Sequence, residues 1–283
     1  MRTLIIGSKG QLGAAFVRRF QANGWDYSAA DVDTLDISDI NAVMDSVIPY
    51  RPGLIINCAA YNLVDKAESE PEKAYAVNAE GVRHLALAAR RLESKLVHFG
   101  TDYVFDGEKK APYAESDAAN PLNKYGASKL KGEDYALETP DALVLRLSWV
   151  YGAGQQNFIH KLLGWAAKPG PLRISDDEIS VPTCTEDIVD IAMEALKAGL
   201  TGRWHLTGSG NCSRYEWAKA ALRAHGVEKE ILPAKMAEFS LPARRPAYSA
   251  MSNAALCREL GIKIPHWQES VEKFIKSIEA SPR

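Results

Sequence analysis

The chain has 283 residues, of which 46% are hydrophobic and 25% are charged, which predicts an ordinary soluble globular protein with a large buried core. Its formal net charge is −2 and its Lys and Arg residues are dispersed, so nothing in the sequence indicates nucleic-acid binding. Because no segment approaches the ~20 apolar residues of a membrane span and the N-terminal apolar run is too short for a signal peptide, we expect a cytoplasmic protein that does not bind membranes.

The first half of the chain alternates short apolar runs with segments of helical periodicity. The runs TLIIG, YSAAD, LIINCAA and KLVHFG predict strands, and helices are predicted near residues 11–23, 41–50 and 72–92. The helix that contains YGASKLKGEDYAL leads into a further apolar strand, ALVLRLSWVYG. This alternation is typical of a parallel sheet with helices on both faces. The predicted fold class is therefore α/β, a Rossmann-type doubly wound parallel sheet.

The second half of the chain departs from that rhythm after Tyr151. The segment KPGPLRIS and the tail beginning LPARRPAYS are rich in Pro or Gly, whereas VPTCTEDIVDIAMEAL and GRWHLTG predict a returning helix and a last strand. We therefore predict an NAD(P)-binding Rossmann domain over residues 1–150, to which residues of about 180–210 return. A smaller, discontinuous C-terminal substrate-binding lobe is predicted over 151–179 and 211–283.

A glycine-rich turn between the first strand and the first helix predicts a dinucleotide site. Glycines at 7, 10 and 13 allow a pyrophosphate to approach the backbone, and the helix N-terminus supplies free N–H groups. A tight strand-to-helix turn without a ligand is the alternative. The predicted cofactor contacts of this loop are Gly7, Lys9, Gly10, Gln11, Leu12 and Gly13.

The predicted end of the second strand carries an acidic residue, Asp31. A carboxylate there can accept hydrogen bonds from the adenosine ribose, and it repels a 2′-phosphate, which favours NADH. Lys9, inside the glycine loop, favours NADPH because its ammonium could pair with a 2′-phosphate. The cofactor is therefore predicted as NADPH or NADH, without a choice between them, and Asp31 as a solvated turn residue is the alternative to a ribose contact.

A Tyr-x-x-x-Lys spacing occurs twice, at Tyr125–Lys129 and at Tyr215–Lys219. Residues i and i+4 share a helix face, so either Lys could hold its charge near the phenol. Only the first pair follows a strand that ends in a hydroxyl, Thr101, in the nucleotide-binding half. Tyr125 is predicted as the proton donor to a ketone reduced by hydride, with Lys129 lowering the pKa of the phenol and Thr101 binding the same oxygen. Tyr215 is predicted to pack in the small lobe, and a backbone cap is the alternative role for Thr101.

Several longer motifs carry a resemblance that covers nearly the whole chain. They are GSKGQLG, LDISD, INCAAYNLVDKAESEPEKAYAVNAEG, GTDYVFDG, YGASKLKGE, LRLSWVYG, VPTCTEDI, WHLTGSGNCSRYEWA and RRPAYSAMSNAAL. With these motifs the chain resembles the extended short-chain dehydrogenases/reductases and, among them, the dTDP-4-dehydrorhamnose reductase family. VDKAESEP and RRPAYS are far more specific than the glycine loop.

The resemblance implies roles for further residues. Thr101, Tyr125 and Lys129 match the catalytic triad of that family, and Asn78 matches an asparagine that orders the site. The remaining implied cofactor contacts are Asp36, Ile37, Ala59, Ala60 and Tyr61. The implied substrate contacts are Thr101, Asp102, Tyr103 and Trp149, with Lys161, Arg173, Arg244 and Arg245 as candidate cations for a diphosphate. Trp149 as a core residue, and each cation as a solvated surface residue, are the alternatives.

The chain departs from the family pattern at three places. Gly100 replaces the serine before the catalytic threonine, which we interpret as the loss of a hydroxyl on the substrate side. Ala15 stands where some members carry a carboxylate that supports a metal-bridged dimer, so we expect no functional metal and leave a homodimer open. The segment DDEIS replaces DQxGS, which makes the identity of the sugar less certain than the reaction type.

The resemblance implies NAD(P)H-dependent reduction of the C4 ketone of dTDP-4-dehydro-6-deoxy-L-mannose to dTDP-L-rhamnose. The alternatives are reduction of another nucleotide-linked 4-keto-6-deoxy sugar, and a non-catalytic regulatory subunit such as that of methionine adenosyltransferase. A 4,6-dehydratase is disfavoured because such enzymes need an Asp-Glu pair after the threonine, and here the pair is Asp102-Tyr103. The four cysteines, Cys58, Cys184, Cys212 and Cys257, lie far apart and predict reduced structural thiols.

Overall fold

A parallel sheet forms the centre of the computed structural model, which describes residues 1–154 and 156–279. Its six strands are β1 (Thr3–Ile6), β2 (Tyr27–Ala30), β3 (Leu54–Asn57), β4 (Lys95–Thr101), β5 (Ala142–Leu147) and β10 (Gly202–His205). They lie in the order β10-β5-β4-β3-β1-β2, and every neighbouring pair is parallel. β1, β3 and β5 are buried along their whole length, as continuous apolar runs predict for a sheet that is covered on both faces.

Helices cover both faces of this sheet. They include α1 (Gln11–Ala22), α2 (Ile40–Tyr50), α3 (Val64–Ser69), α4 (Pro71–Tyr75), α5 (Gly81–Leu92), α6 (Lys124–Leu137) and α8 (Thr185–Lys197). Phe16 of α1 and Ile188 of α8 share one apolar core, and Val43 of α2 and Leu85 of α5 share the other. The predicted doubly wound α/β fold is therefore confirmed.

The second lobe is built from short strands and four helices. They are β6 (Val150–Tyr151), α7 (Phe158–Ala166), β7 (Leu172–Ser175), β8 (Ile179–Ser180), β9 (Thr183–Cys184), β11 (Cys212–Ser213), α9 (Arg214–Ala224), β12 (Ile231–Ala234), α10 (Ala254–Leu260) and α11 (Trp267–Glu279). The fully buried Trp217 of α9 belongs to its core. Tyr215 also packs against this core, with the Lys219 ammonium 5.3 Å from its ring centroid, as the sequence predicted for the second Tyr-Lys pair.

Two segments return from this lobe to the sheet. α8 packs against α1, and β10 pairs with β5. Leu256 of α10 and Ile264 also pack into the core around Phe16. The division of the chain into two domains stays a prediction.

The described cysteines are all free thiols. No helix within the described ranges is both long and apolar enough to cross a membrane.

Candidate active site

The carboxyl ends of β1, β3 and β4 meet at one edge of the sheet, where two adjoining pockets open. A reaction pocket of about 410 Å³ contains Thr101, Tyr125 and Lys129, and an adenosine-type pocket of about 350 Å³ contains Asp31 and Asp36. Both are lined by Gly10, Cys58, Ala59, Ala60, Asn62 and Gln156. The two pockets therefore form one continuous cleft at the edge where ligands bind in open α/β sheets.

The glycine loop lies against the segment after β3 so closely that side chains would not fit. Gly7 has a φ of +73°, and a Cβ there would stand 2.5 Å from the backbone nitrogen of Ala59. A Cβ on Gly13 would stand 2.1 Å from the carbonyl oxygen of Gly7. α1 begins directly after Gly10 without a side-chain cap, which leaves the N–H groups of its first turn available for a diphosphate.

An unpaired polar atom supports the fit of a dinucleotide. Gln11 lines the reaction pocket, and its Oε1 is buried without a hydrogen-bond partner among the described residues. Leu12 lines the same pocket. A buried amide oxygen without a partner is costly, so a bound ligand that donates a hydrogen bond would satisfy it. These residues fit the predicted NADPH or NADH.

Lys9 contacts two carboxylates beside the adenosine-type pocket, those of Asp31 and Asp33. The backbone N–H of Lys9 donates to Asp31 Oδ2 at 2.7 Å, and its ammonium lies 2.5 Å from Asp33 Oδ2. The Asp31 Oδ1 accepts the N–H of Val32 at 2.9 Å. Asp31, Asp36 and Ile37 line the adenosine-type pocket, whereas Lys9 does not belong to its described lining. The cation that could favour NADPH is therefore already paired with a carboxylate.

Asn78 connects the loop after β3 to α6. It lies in a π-helical turn, Ala76–Glu80, and is fully buried. Its amide donates to the carbonyl of Tyr61 at 3.1 Å and to Ser128 Oγ at 3.0 Å, and its oxygen accepts the Tyr61 N–H at 2.8 Å. Asn78 thus orders the site through its neighbours and does not line either pocket among the described residues.

The reaction centre joins the end of β4 to the first turns of α6. The Asn123 side chain caps α6 by accepting the Gly126 N–H at 2.7 Å, which fixes where the helix starts. Tyr125 is hydrogen-bonded to Thr101, and Thr101 Oγ1 also donates to Asp102 Oδ1 at 3.3 Å. The Lys129 ammonium donates to the carbonyl of Phe99 at 2.6 Å. The three predicted triad residues therefore lie together in one pocket.

The pKa shifts at this centre differ from the prediction. Burial raises the pKa of Tyr125 to about 12, although the Thr101 hydrogen bond acts in the opposite direction. Burial lowers the pKa of Lys129 to about 8, partly offset by the Glu133 carboxylate. The expected lowering of the phenol pKa by Lys129 is therefore wrong. At neutral pH the phenol holds its proton, as a proton donor must.

Gly100 has a different role from the one the sequence suggested. A Cβ at this position would stand 2.2 Å from Glu133 Oε1 and 3.0 Å from Arg146 Cγ. Glu133 and Arg146 are buried and form an ion pair at 2.8 Å. A serine side chain would thus point towards this pair and not towards a substrate. Gly100 makes room for a buried ion pair behind the catalytic helix.

The predicted substrate residues Asp102, Tyr103 and Trp149 line the reaction pocket. Asp102 Oδ2 accepts hydrogen bonds from Ser180 at 2.7 Å and Ser249 at 2.5 Å, and burial raises the pKa of this carboxyl group to about 6. Trp149 has a φ of 40°, which is strained for a bulky residue. Its ring stacks on Trp217 with centroids 5.5 Å apart.

The four predicted diphosphate cations do not line this pocket. Lys161 and Arg244 are exposed. Arg173 is paired with Glu238 at the surface, and Arg245 donates two hydrogen bonds to Asp65, the shorter at 2.8 Å. None of the four belongs to the described lining of the reaction pocket. Arg245 still lies near enough to interact electrostatically with Tyr103 of that lining, so the assignment as nearest cations is corrected for Lys161, Arg173 and Arg244.

The sequence reasoning missed one cation that lines the pocket, Arg214, and the carboxylate bonded to it, Glu178. Arg214 lines it, and its guanidinium carbon stands 3.7 Å from the Trp149 ring centroid. Arg214 Nε donates to Glu178 Oε2 at 3.3 Å, and the Tyr103 hydroxyl donates to Glu178 Oε1 at 3.1 Å. The unusual segment DDEIS, which contains Glu178, was the available sequence signal.

Among the described residues, no group of three or more His, Cys, Asp or Glu side chains is arranged to hold a metal. Ala15, where a metal-linked carboxylate was considered, lies on α1 and is buried in the core.

The whole chain is similar to known proteins. A family model described as the RmlD substrate binding domain matches residues 1–280. The spore coat polysaccharide biosynthesis protein SpsK of Bacillus subtilis is 36% identical, over 97% of each chain. A dTDP-4-dehydrorhamnose reductase of Sinorhizobium fredii is 38% identical, over 97% of each chain. A probable dTDP-4,6-dihydroxy-2-methyloxan-3-one 4-ketoreductase of Streptomyces antibioticus is 37% identical, over 89% of this chain and 87% of that protein.

Solved structures show the same similarity. A dTDP-4-dehydrorhamnose reductase from Clostridium acetobutylicum superposes with a TM-score of 0.95 at 33% identity, over 99% of this chain and 100% of that one. A dTDP-4-dehydrorhamnose reductase from Bacillus anthracis in complex with NADP gives 0.94 at 34% identity, over 98% of this chain and 99% of that one.

Proposed function

Because the chain belongs to the family of the RmlD substrate binding domain, we propose that it uses NADPH or NADH to reduce the C4 ketone of dTDP-4-dehydrorhamnose, giving dTDP-L-rhamnose. The resemblance to dTDP-4-dehydrorhamnose reductases is confirmed by relatives that carry this name. The observation that carries the proposal is the position of Thr101, Tyr125 and Lys129 in a pocket that continues into an adenosine-type pocket.

Each catalytic residue of the cleft has a separate role in the proposed reaction. When bound, the dihydronicotinamide supplies the hydride that the ketone carbon accepts. Tyr125 gives its hydroxyl proton to the ketone oxygen, so that the product is a neutral alcohol and the phenol is left as a phenolate for reprotonation from solvent. Thr101 donates a hydrogen bond to the same oxygen, where negative charge develops. Lys129, charged below its pKa of about 8, stabilises that developing charge from behind Tyr125.

The remaining cleft residues hold the two ligands. The first turn of α1 faces the cofactor diphosphate, and Asp31 accepts hydrogen bonds from the adenosine ribose. Trp149 provides an apolar face for the sugar, and Asp102 and Tyr103 form the wall beside it. Cys58 takes no part, since burial raises the pKa of its thiol.

A second candidate is the reduction of another dTDP-linked 4-keto sugar, since a relative with this kind of name is 37% identical. The charged residues of DDEIS favour it, because Glu178 lies within hydrogen-bonding distance of the pocket residue Tyr103. Comparing kcat/KM for dTDP-4-dehydrorhamnose with that for other dTDP-4-keto-6-deoxy sugars separates the two. A regulatory subunit without catalysis is disfavoured because the triad is intact.

The proposed proton donor is tested with Tyr125→Phe, which removes only the hydroxyl group. We expect kcat to fall about 10²- to 10⁴-fold, the usual contribution of a positioned acid. The measurement is the loss of reduced-nicotinamide absorbance with dTDP-4-dehydrorhamnose. Tyr215→Phe is the matched control, because it changes the other Tyr-Lys pair, and it should retain wild-type turnover. Full activity of Tyr125→Phe would disprove the assignment.

Assembly and location stay predictions. Light scattering of the purified chain tests the homodimer, and fractionation of the cells that produce it tests the cytoplasmic location.

A further inference from the structure

The reaction pocket offers few positive charges for the diphosphate that the proposed substrate carries. Among its described lining residues, the cationic side chains are Lys129 and Arg214. Lys129 is buried and donates to the carbonyl of Phe99, within the catalytic centre. A diphosphate seldom binds without cationic or charge-assisted partners, so Arg214 is the remaining candidate.

Arg214 is held in place from three sides. It is the first residue of α9, whose start is fixed by a capping box between Ser213 and Glu216. Its guanidinium lies over the Trp149 ring, and its Nε donates to Glu178. Only 21% of its side chain is exposed, so less side-chain entropy would be lost on binding than for a surface cation.

The contacts of Arg214 leave part of its donor set free. Among the described residues, Glu178 is its hydrogen-bond and ion-pair partner, through Nε. In the described part of the chain, no acceptor is bonded to the two terminal nitrogens of this guanidinium. A planar guanidinium can donate from two such nitrogens to one phosphate. Glu178, at 7% side-chain exposure, keeps the guanidinium in place but also opposes an anion that approaches it.

We infer that Arg214 binds the diphosphate of the sugar-nucleotide substrate, and that the Glu178 carboxylate positions Arg214 while weakening its attraction for the anion. This inference rests on the proposed function and names the residue that holds the anionic part of that substrate. It replaces Lys161, Arg173, Arg244 and Arg245, none of which lines the pocket; of these four, Arg245 is already paired with Asp65.

Substitutions of Arg214 and Glu178 are expected to change dTDP affinity in opposite directions. This difference distinguishes a phosphate-binding role of Arg214 from a purely structural ion pair. Arg214→Gln removes the cation and should weaken dTDP binding about 10- to 100-fold. Glu178→Gln removes the opposing charge, while its amide oxygen can still accept from Arg214 and its N–H₂ can donate to the Tyr103 hydroxyl. It should strengthen dTDP binding about threefold or more. If the pair were only structural, both variants would lose affinity together.

The experiment is calorimetric titration of dTDP into the full chain and its variants at two salt concentrations. Arg173→Gln, which removes a surface cation of the same lobe, should bind dTDP like the wild type. Arg214→Lys keeps the charge without the planar fork and should lie between wild type and Arg214→Gln. Unchanged melting temperatures and unchanged NADH affinity would show that each variant is folded. The salt dependence of dTDP binding should decrease in Arg214→Gln.

The outcomes for the inference and for the proposed function are distinct. Wild-type affinity for dTDP in folded Arg214→Gln, or weaker binding in folded Glu178→Gln, would overturn the inference alone. Wild-type protein that does not bind dTDP and does not reduce dTDP-linked 4-keto sugars would overturn the proposed function as well.

Discussion

Tyr125 and Lys129 stand one helical turn apart, and burial acts on them in opposite directions. It raises the pKa of the phenol to about 12 and lowers the pKa of the ammonium to about 8. Burial always disfavours the charged form, which is the anion for Tyr and the cation for Lys. Near neutral pH both groups therefore hold their protons, as the proposed reduction needs.

The Lys129 shift predicts how the reaction depends on pH. As pH rises through about 8, Lys129 loses the charge that stabilises the transition state, whereas Tyr125 keeps its proton. We expect kcat/KM for ketone reduction to be level below this pH and then to fall about tenfold per pH unit. The test is a pH profile of NADH-dependent reduction. A profile that stays level to pH ~10, the ordinary range of a lysine, would contradict the role of the charge.

The pairing of Lys9 with Asp33 predicts an effect on cofactor preference. Asp33→Asn removes the exposed carboxylate partner of the Lys9 ammonium, which frees this cation for a 2′-phosphate. Because exposed ion pairs contribute little, we expect the ratio of NADPH to NADH affinity to rise by only about two- to fivefold. Fluorescence titration of both reduced cofactors measures this ratio. An unchanged ratio would show that Lys9 does not reach the phosphate.

At the scale of single elements, β4 packs against the Glu133 side chain of α6 at Gly100. This residue faces the buried Glu133–Arg146 pair, and Glu133 follows Lys129 by one helical turn on α6. The helix that carries two catalytic residues thus packs on the sheet through an ion pair that needs a glycine opposite. A side chain at position 100 should displace the buried Glu133 carboxylate. This should lower the free energy of unfolding by more than overpacking of apolar groups does.

Gly100→Ala tests this packing. The added methyl group would collide with Glu133 Oε1 at 2.2 Å, so we expect the free energy of unfolding to fall by about 2 to 4 kcal/mol. Gly164→Ala in α7 is the matched control, because a Cβ there meets nothing within 4 Å. It should change stability by no more than about 1 kcal/mol, in the stabilising direction. Equal effects of the two substitutions in urea unfolding would contradict this account.

The elements that sequence reasoning predicted well are those set by local pattern. The apolar runs of the sheet strands and the glycine loop are visible in sequence. The missed features depend on contacts between distant segments. β7 pairs with β12, about 60 residues away, and Arg214 meets Trp149 and Glu178 only through tertiary packing. Reasoning from charge alone therefore selected exposed cations such as Arg173 and did not identify the partly buried Arg214.

At the scale of the whole molecule, Asp102 links three distant parts of the chain. It follows β4 of the nucleotide-binding half, whereas Ser180 belongs to β8 and Ser249 to the tail, and both serines donate to its Oδ2. The two lobes are also joined where Arg245 pairs with Asp65. Polar contacts between the nucleotide-binding half and later parts of the chain therefore meet at Asp102, which lines the reaction pocket.

This arrangement makes stability depend on pH. The pKa of Asp102 is about 6 in the folded protein against 3.8 ordinarily, so burial of the charged form costs stability as pH rises between these values. The full cost above pH 6 is about 3 kcal/mol. Asp102→Asn removes the ionisation, so its stability relative to wild type should be greater at pH 7.5 than at pH 4 by about this amount. Urea unfolding of both proteins at both pH values measures this difference in stability. If the difference between Asp102→Asn and wild type were the same at pH 4 and pH 7.5, ionisation of Asp102 would not be its cause.

The packing of α10 has a consequence for how the protein is made. Leu256 and Ile264 complete the same apolar core as Phe16, which lies near the start of the chain. During translation, a nascent chain that has released all five N-terminal sheet strands still exposes that face, because its covering residues have not yet been synthesised. The nucleotide-binding half can therefore finish folding only after Ile264 has left the ribosome.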